Sequence, residues 1–325
     1  MSGEHWKQRP EGGGRLAFRL IGFIARRGGR SIARLTLYPI VAYFLIVRGP
    51  ERRASRDYLA RVLDRPPRLL DIARHIHTFA ATILDRLYML SGRMAPFDVR
   101  VDGLDKLEPY LDRGQGLLLF GSHLGSFEAL RVLSRSRPGL KLRVVFDRGH
   151  NPALTEMLDA LDPQIARTVI DAGQDGPSIV FAIKQATDEG AIVALLVDRA
   201  APHEPHTTAS FLGAPAEFPS APWLIAAALK VPVVLAFGLY RGGARYDLVF
   251  ETFSEGVAIE RHNRPAILAA LVQRYAERLQ AQARSAPYNW FNFYDFWHAD
   301  DADQALHVDP GADARRRVAA RRSGY

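Results

Sequence analysis

A chain of 325 residues with 48% hydrophobic residues, 24% charged residues and no cysteine can bury one large core or two modest ones, and it excludes disulfides and thiolate metal sites. Its net charge of +8 is concentrated at the ends: residues 1–57 hold 12 Lys or Arg against 4 Asp or Glu, residues 311–325 hold 5 against 1, and the remaining body is slightly acidic. An enzyme of nucleic acid carries basic surface around its site, so this distribution points away from nucleic acid and toward an anionic membrane surface met by the chain ends.

Residues 1–14 are polar and Gly-rich, carry no signal-peptide cleavage pattern and are expected to be disordered. From Arg15 to Arg56 arginines alternate with apolar residues around one uncharged run, Leu35 to Val47, of 13 residues. That run is short of the roughly 20 residues needed to cross a bilayer, so a lying or partly inserted helix is expected, with tyrosines at the interface and arginines on the headgroups. Between Leu69 and Leu90 the apolar positions Ile72, Ile76, Phe79, Ile83, Leu87 and Leu90 recur at helical spacing and predict a long amphipathic helix on the body. His75 and His77 lie on different faces of it without a carboxylate cluster, which makes them packing or exposed residues and not metal ligands.

Residues 97–255 alternate strand-like and helix-like pieces, the signature of an α/β layer with a largely parallel sheet. The predicted strands are Leu117–Phe120, Leu140–Phe146, Arg167–Ile170, Ala191–Val197, Pro232–Tyr240 and Tyr246–Phe253. Helices are predicted at Ser126–Ser134, Pro152–Leu161, Ser178–Glu189 with Gly190 as its stop, and Ala221–Leu229. A last helix is capped by Asn263, has Pro265 near its first turn and runs to about Ala283. The expected class is α/β, a mixed and largely parallel sheet flanked by helices with an N-terminal membrane-facing helical segment. The expected division is a basic, amphipathic region at 1–95, a catalytic α/β domain at 96–300 and a disordered basic tail at 301–325.

The chemistry concentrates at Leu117-Leu118-Leu119-Phe120-Gly121-Ser122-His123-Leu124-Gly125-Ser126-Phe127-Glu128, where an apolar run ends in small residues and delivers a histidine followed by a carboxylate. A strand, a turn and a helix start would let Glu128 fold back onto one nitrogen of His123, fix its tautomer and leave the other nitrogen free to accept a proton. With no protein nucleophile nearby, the hydroxyl or amine that His123 deprotonates would belong to the substrate and transfer would be direct, without an acyl-enzyme; Ser122 and Ser126 sit in no Gly-x-Ser-x-Gly elbow, which argues against a hydrolase. His123, Arg148 and Asp198 each fall at or just after a predicted strand end, where sites of open α/β sheets lie. Arg148 offers a charged fork for an oxyanion or a phosphate. Asn151 precedes Pro152 and can start a helix, Arg167 is a weaker substrate candidate, and His203 and His206 are expected on a mobile loop.

The blocks His123-x4-Glu128, Phe146-Asp-Arg148-Gly-His-Asn151-Pro152, Gly190-Ala-Ile-Val-Ala-Leu-Leu-Val-Asp198-Arg199 and Phe211-Leu-Gly-Ala-Pro-Ala-Glu-Phe-Pro219 occur in that order. In this the chain resembles the late acyltransferases of bacterial lipid A biosynthesis, within the wider glycerolipid and lysophospholipid acyltransferase superfamily. The resemblance implies His123 as base and Glu128 as its partner, Arg148 and Asn151 in acceptor binding or thioester positioning, and Asp198 and Arg199 ordering the site. It implies an acyl donor on acyl carrier protein or coenzyme A, a lipid or glycolipid acceptor, the cytoplasmic face of the inner membrane, and no cofactor, metal or nucleic acid. The ending Trp290-Phe-Asn-Phe-Tyr-Asp-Phe-Trp297 departs from that family. It is similar instead to acyltransferases of aryl polyene pigment clusters, so a polyene acyl group enters beside a fatty one. The alternative from another class is a catalytically inactive docking subunit of a lipid or pigment assembly, which would have no need of His123.

Overall fold

The computed structural model describes residues 29–130, 139–149, 152–161, 166, 168–200 and 204–297. The expectations for residues 1–14 and 311–325, and the candidates Asn151, Arg167 and His203, lie outside these.

Among the described residues three helices come first: α1 (Leu37–Val47), α2 (Gly49–Val62) and α3 (Leu69–Leu90). α1 continues a helical stretch that starts at Gly29, and Gly29–Val47 is 19 residues, long and apolar enough to cross a membrane by length and composition. The uncharged run of the sequence is therefore part of a longer helix that takes in Arg30 and Arg34. Pro39 has no N–H to return to the Leu35 carbonyl, which accounts for the turn at Thr36, where the hydroxyl bonds the Ala33 carbonyl at 2.6 Å. α3 has the predicted bounds and starts on a box in which Asp71 accepts from the Arg68 N–H at 2.8 Å.

Arg30 and Arg34 turn inward to the body. Arg30 binds both oxygens of the fully buried Asp85 on α3, at 2.7 and 2.8 Å, and Tyr246 donates to the same carboxylate at 2.8 Å. Arg34 donates to the Tyr240 hydroxyl at 2.9 Å and to the Gly243 carbonyl at 3.1 Å. A buried carboxylate is tolerable only with such partners. His75 is fully buried, with Nδ1 2.8 Å from the Ser55 hydroxyl and Nε2 2.9 Å from the Trp290 carbonyl; His77 packs against Tyr38. Both are packing residues.

The body is one seven-stranded sheet in the order β1-β9-β8-β2-β5-β3-β4, and a separate two-stranded hairpin, β6-β7. Its strands are β1 (Asp98–Asp102), β2 (Leu117–Gly121), β3 (Leu142–Phe146), β4 (Val169–Asp171), β5 (Ile192–Leu196), β8 (Val233–Gly242) and β9 (Arg245–Ser254), with β6 (His206–Phe211) and β7 (Ala214–Pro219) in the hairpin. All neighbours in the large sheet run parallel except β8 and β9. The central strand β2 is buried at every position, as a strand covered on both faces must be. Its side chains alternate: Leu118 and Phe120 join one core with Val193, Val233, Leu235 and Trp223, while Leu117 and Leu119 join the other with Ala194, Val234, Leu84 and Tyr88. Helices α5 (Pro152–Leu161), α6 (Gly176–Asp188), α7 (Ala221–Leu229) and α8 (Arg264–Ser285) follow their strands, and a short α4 (Glu108–Asp112) precedes β2. Residues of α2 and α3 enter the same cores as the sheet.

The structure corrects the sequence reading at three places. The helix expected at Ser126–Ser134 opens with a 3₁₀ turn at Phe127–Leu130 instead of an α-helical one, and residues 131–134 lie outside the described residues. His206, expected on a mobile loop, opens the β6-β7 hairpin, which is turned by Leu212 (φ 51°) and Gly213 (φ 81°), a pair of positive angles that matches the twist of the strands. His206 accordingly sits in a strand, 3.0 Å from Glu217. The edge strand β1, Asp98-Val-Arg-Val-Asp102, carries too little apolar character to stand out from the sequence.

Candidate active site

The site is built where β2 and β5 end side by side. Their last register pair is Gly121 with Leu196, and His123 and Asp198 each lie two residues further on. Parallel neighbours thus carry the two side chains to the same edge of the sheet, at the carboxyl ends where open α/β folds place their sites. The Asp198 carboxylate is fully buried and lies 2.8 Å from Nδ1 of His123. Its second oxygen accepts from the His123 backbone N–H at 3.0 Å and from the indole N–H of Trp290 at 2.9 Å.

The loop carrying His123 is clamped through its main chain. Gly125 and Ser126 donate to the carbonyls of Asn289 and Gly238 at 2.8 and 2.7 Å, and Phe291 donates to the His123 carbonyl at 2.9 Å. Gly125 has φ +72°, and a Cβ there would meet the Gly238 carbonyl oxygen at 1.9 Å, so only glycine lets this loop seat on β8.

These contacts decide the proton. An ionised Asp198 accepts, so Nδ1 of His123 carries the hydrogen and Nε2 presents its lone pair. Burial lowers the proton affinity of His123 first, and the Arg199 and Arg86 charges lower it further against the opposing pull of Asp198, which leaves a neutral imidazole at neutral pH. Burial alone would raise the Asp198 carboxyl, but His123, Arg199 and the Trp290 indole outweigh it and hold the group well below the usual carboxylate range. The His123 side chain stays about one-third exposed (33%), open to a reactant.

Glu128, expected to orient His123, is turned elsewhere. Its carboxylate forms an ion pair with Arg86 of α3 at 2.7 Å and accepts from the Ser126 hydroxyl at 3.1 Å. The group on Nδ1 is Asp198, whose approach depends on the pairing of β2 with β5 and not on sequence distance. Arg199, next to Asp198, donates to the Phe291 carbonyl and lies over the Tyr294 ring, 5.4 Å from its centroid. Arg148 follows β3 and binds Asp159 of α5 at 3.0 Å and the Ala166 carbonyl at 3.3 Å. The structure thus joins His123, Asp198 and Arg199 and ties Arg148 into its own loop. Arg86 and Trp290 were not singled out by sequence as site residues; Trp290 stood only within the aromatic run.

A family model for bacterial lipid A biosynthesis acyltransferases matches residues 74–298. The chain belongs to that family. An acyltransferase of this kind moves an acyl group to a lipid, which requires an acyl donor and a lipid acceptor, and the family is membrane-associated in general. No curated protein matches the chain. The matched span begins within α3 and reaches past the aromatic ending, so Arg86, His123, Glu128, Asp198, Arg199 and Trp290 all lie inside the acyltransferase match.

The aromatic ending of this acyltransferase forms core. Trp290 and Phe296 are buried, their centroids 4.9 Å apart, and both pack on Phe211 of the hairpin. Edge-to-face packing of this kind makes the 290–297 segment a rigid strap across the end of β5.

Proposed function

We propose that the protein transfers a fatty or polyene acyl group from a thioester, carried on acyl carrier protein or coenzyme A, to a hydroxyl of a membrane lipid or glycolipid at the cytoplasmic face of the inner membrane. The observation that carries this reading is the His123–Asp198 pair with its free Nε2 and no side-chain nucleophile hydrogen-bonded to it among the described residues. The Ser126 hydroxyl is spent on Glu128, and there is no cysteine. The acceptor hydroxyl therefore gives its proton to Nε2 as its oxygen bonds the thioester carbon. The carbonyl pair moves onto oxygen, returns as the C–S bond breaks, and the departing sulfur takes the proton from Nε2. Asp198 holds the tautomer and stabilises the imidazolium formed on the way.

Glu128 enters this mechanism through Arg86: by neutralising that guanidinium it keeps His123 basic enough to take the proton. The polyene alternative rests on the resemblance of the aromatic ending alone. We read residues 1–95 as the membrane-facing region, 96–300 as the catalytic domain and 301–325 as a basic tail, with an acidic carrier protein favoured as donor because arginines flank the body. The test is incubation of purified protein with acyl carrier protein bearing a radiolabelled acyl chain and vesicles of total bacterial membrane lipid. Label should move to lipid with the parent and not with His123→Ala. Transfer at the parental rate by His123→Ala would remove the catalytic assignment and favour a docking subunit.

A further inference from the structure

We infer that Arg199 is a catalytic residue of the acyl transfer proposed above, its guanidinium taking up the negative charge that develops on the thioester oxygen. The inference rests on that mechanism and on which donors around His123 are already committed. In the turn after β2, the N–H groups of His123, Gly125 and Ser126 are bound to Asp198, Asn289 and Gly238, so none of these three serves as a backbone oxyanion donor. Arg148 is held by Asp159 and the Ala166 carbonyl, and Arg86 by Glu128.

Arg199 differs from both. It makes no direct ion pair with a carboxylate among the described residues, although its charge acts on the neighbouring Asp198, and its buried Nε has no hydrogen-bond partner there. It is also fixed beside the histidine: the Phe291 peptide donates its N–H to the His123 carbonyl at 2.9 Å and accepts the Arg199 guanidinium on its own carbonyl. The Tyr294 ring below the guanidinium limits its rotation. The influence of Arg199 on the proton affinity of His123 agrees with this proximity. A preorganised cation next to the base is what a tetrahedral oxyanion requires, because its charge need not reorganise as the carbonyl π pair moves onto oxygen.

The experiment compares parent, Arg199→Gln, Arg199→Lys and His123→Ala as full-length protein, using radiolabelled acyl carrier protein as donor and total membrane lipid vesicles as acceptor. Arg199→Gln should lose roughly two to three powers of ten in kcat with the apparent KM for donor changed by less than about threefold. Its acidic limb of kcat/KM should move to higher pH, because Asp198 and the Glu128-neutralised Arg86 are then the charged groups left facing His123. Arg199→Lys should keep the limb in place and lose about tenfold in kcat, since it retains the charge without the fork. This second variant decides the matter if Arg199→Gln fails to fold. Parental kcat in Arg199→Gln, or a loss confined to KM in either variant, would overturn the inference. If His123→Ala is inactive while Arg199→Gln is normal, only this inference falls; if His123→Ala is active, the mechanism beneath it falls.

Discussion

The indole N–H of Trp290 and the backbone N–H of His123 donate to the same oxygen of Asp198, at 2.9 and 3.0 Å, while the other oxygen faces Nδ1 of His123. Three donors converge on one buried carboxylate and come from the turn after β2 and from the strap at residues 290–297. The C-terminal aromatic segment therefore holds the orienting group, and the position of His123 depends on chain nearly 170 residues downstream.

Asp198→Asn should keep the fold and lose catalysis. The amide retains one oxygen for the Trp290 and His123 backbone donors but turns an NH₂ toward Nδ1, so the imidazole accepts there and carries its hydrogen on Nε2. That tautomer cannot take a proton from the acceptor hydroxyl. A loss of roughly two to four powers of ten in turnover is expected, the range of a missing acid–base partner. Turnover on radiolabelled donor, beside the near-ultraviolet circular dichroism of the same sample, checks it. A variant with native dichroism and near-parental turnover would show that Asp198 is only a structural acceptor.

Glu128 and Arg86 should behave as a unit. Glu128→Gln leaves Arg86 uncompensated on the base side of the site, which depresses His123 further, so turnover should drop by roughly two powers of ten and the acidic limb should move to lower pH. Adding Arg86→Gln removes the stranded charge and should restore part of the loss, a non-additivity read from a double-mutant cycle. A double variant no better than Glu128→Gln would mean that the carboxylate acts on substrate directly.

The sheet and the long helix α3 were legible because each carries its own periodicity: Leu117 to Phe120 reads as a buried strand, and Ile72, Ile76 and Phe79 read as one helix face. His123 was legible because it closes an apolar strand with small residues. Its partner was not, since Glu128 is near in sequence while Asp198 is brought near only by the register of β2 on β5. The sequence signal was present in one form, a carboxylate just beyond the end of another apolar strand, and needed strand order to be used. The hairpin was hidden by the proline and glycine content of residues 205–219, which favours a loop reading when cross-strand packing on Phe211 and Phe218 is unseen.

Stability should fall as pH drops through the histidine range. Burial, opposed only by the bond to the Trp290 carbonyl, pushes His75 down to about 4 from an ordinary value of about 6.5. Between those values the unfolded chain binds a proton that the folded protein refuses, so the stabilisation is complete above about pH 6.5 and is lost progressively as pH falls toward 4. The shift corresponds to about 3 kcal/mol. His123 and His77, both lowered, act in the same direction. His75→Gln can keep the contact to Trp290 without titrating, and its unfolding free energy should decline less steeply between pH 6.5 and 4 than the parent's. Equal slopes in urea unfolding would show that His75 does not carry the effect.

Membrane attachment should rest on the outer face of the Gly29–Val47 helix and be only partly electrostatic. Ile32, Leu35, Tyr38, Tyr43, Ile46 and Val47 are exposed there, joined by Leu69 and Leu70 at the start of α3, while Leu37 and Val41 are buried against the body. A helix that lies along the protein with one apolar side outward suits the plane of the interface, and its first arginines are used internally by Asp85, Tyr240 and Gly243. Burying a large aliphatic side chain contributes about 1.5–3 kcal/mol, and each of the exposed arginines Arg53 and Arg56 on α2 adds on the order of 1 kcal/mol at an anionic surface. The apolar part therefore dominates, and high salt should release only a fraction of the protein from vesicles. Deleting the helix is a poor test, because it would strand Asp85 without Arg30 at a cost of about 3–5 kcal/mol. The triple substitution Ile32→Asn, Ile46→Asn and Leu70→Asn leaves that pair intact. It should move most of the protein to the supernatant in a vesicle co-sedimentation assay at native circular dichroism. Attachment unchanged by the triple substitution and resistant to alkaline carbonate would show that the helix crosses the bilayer instead.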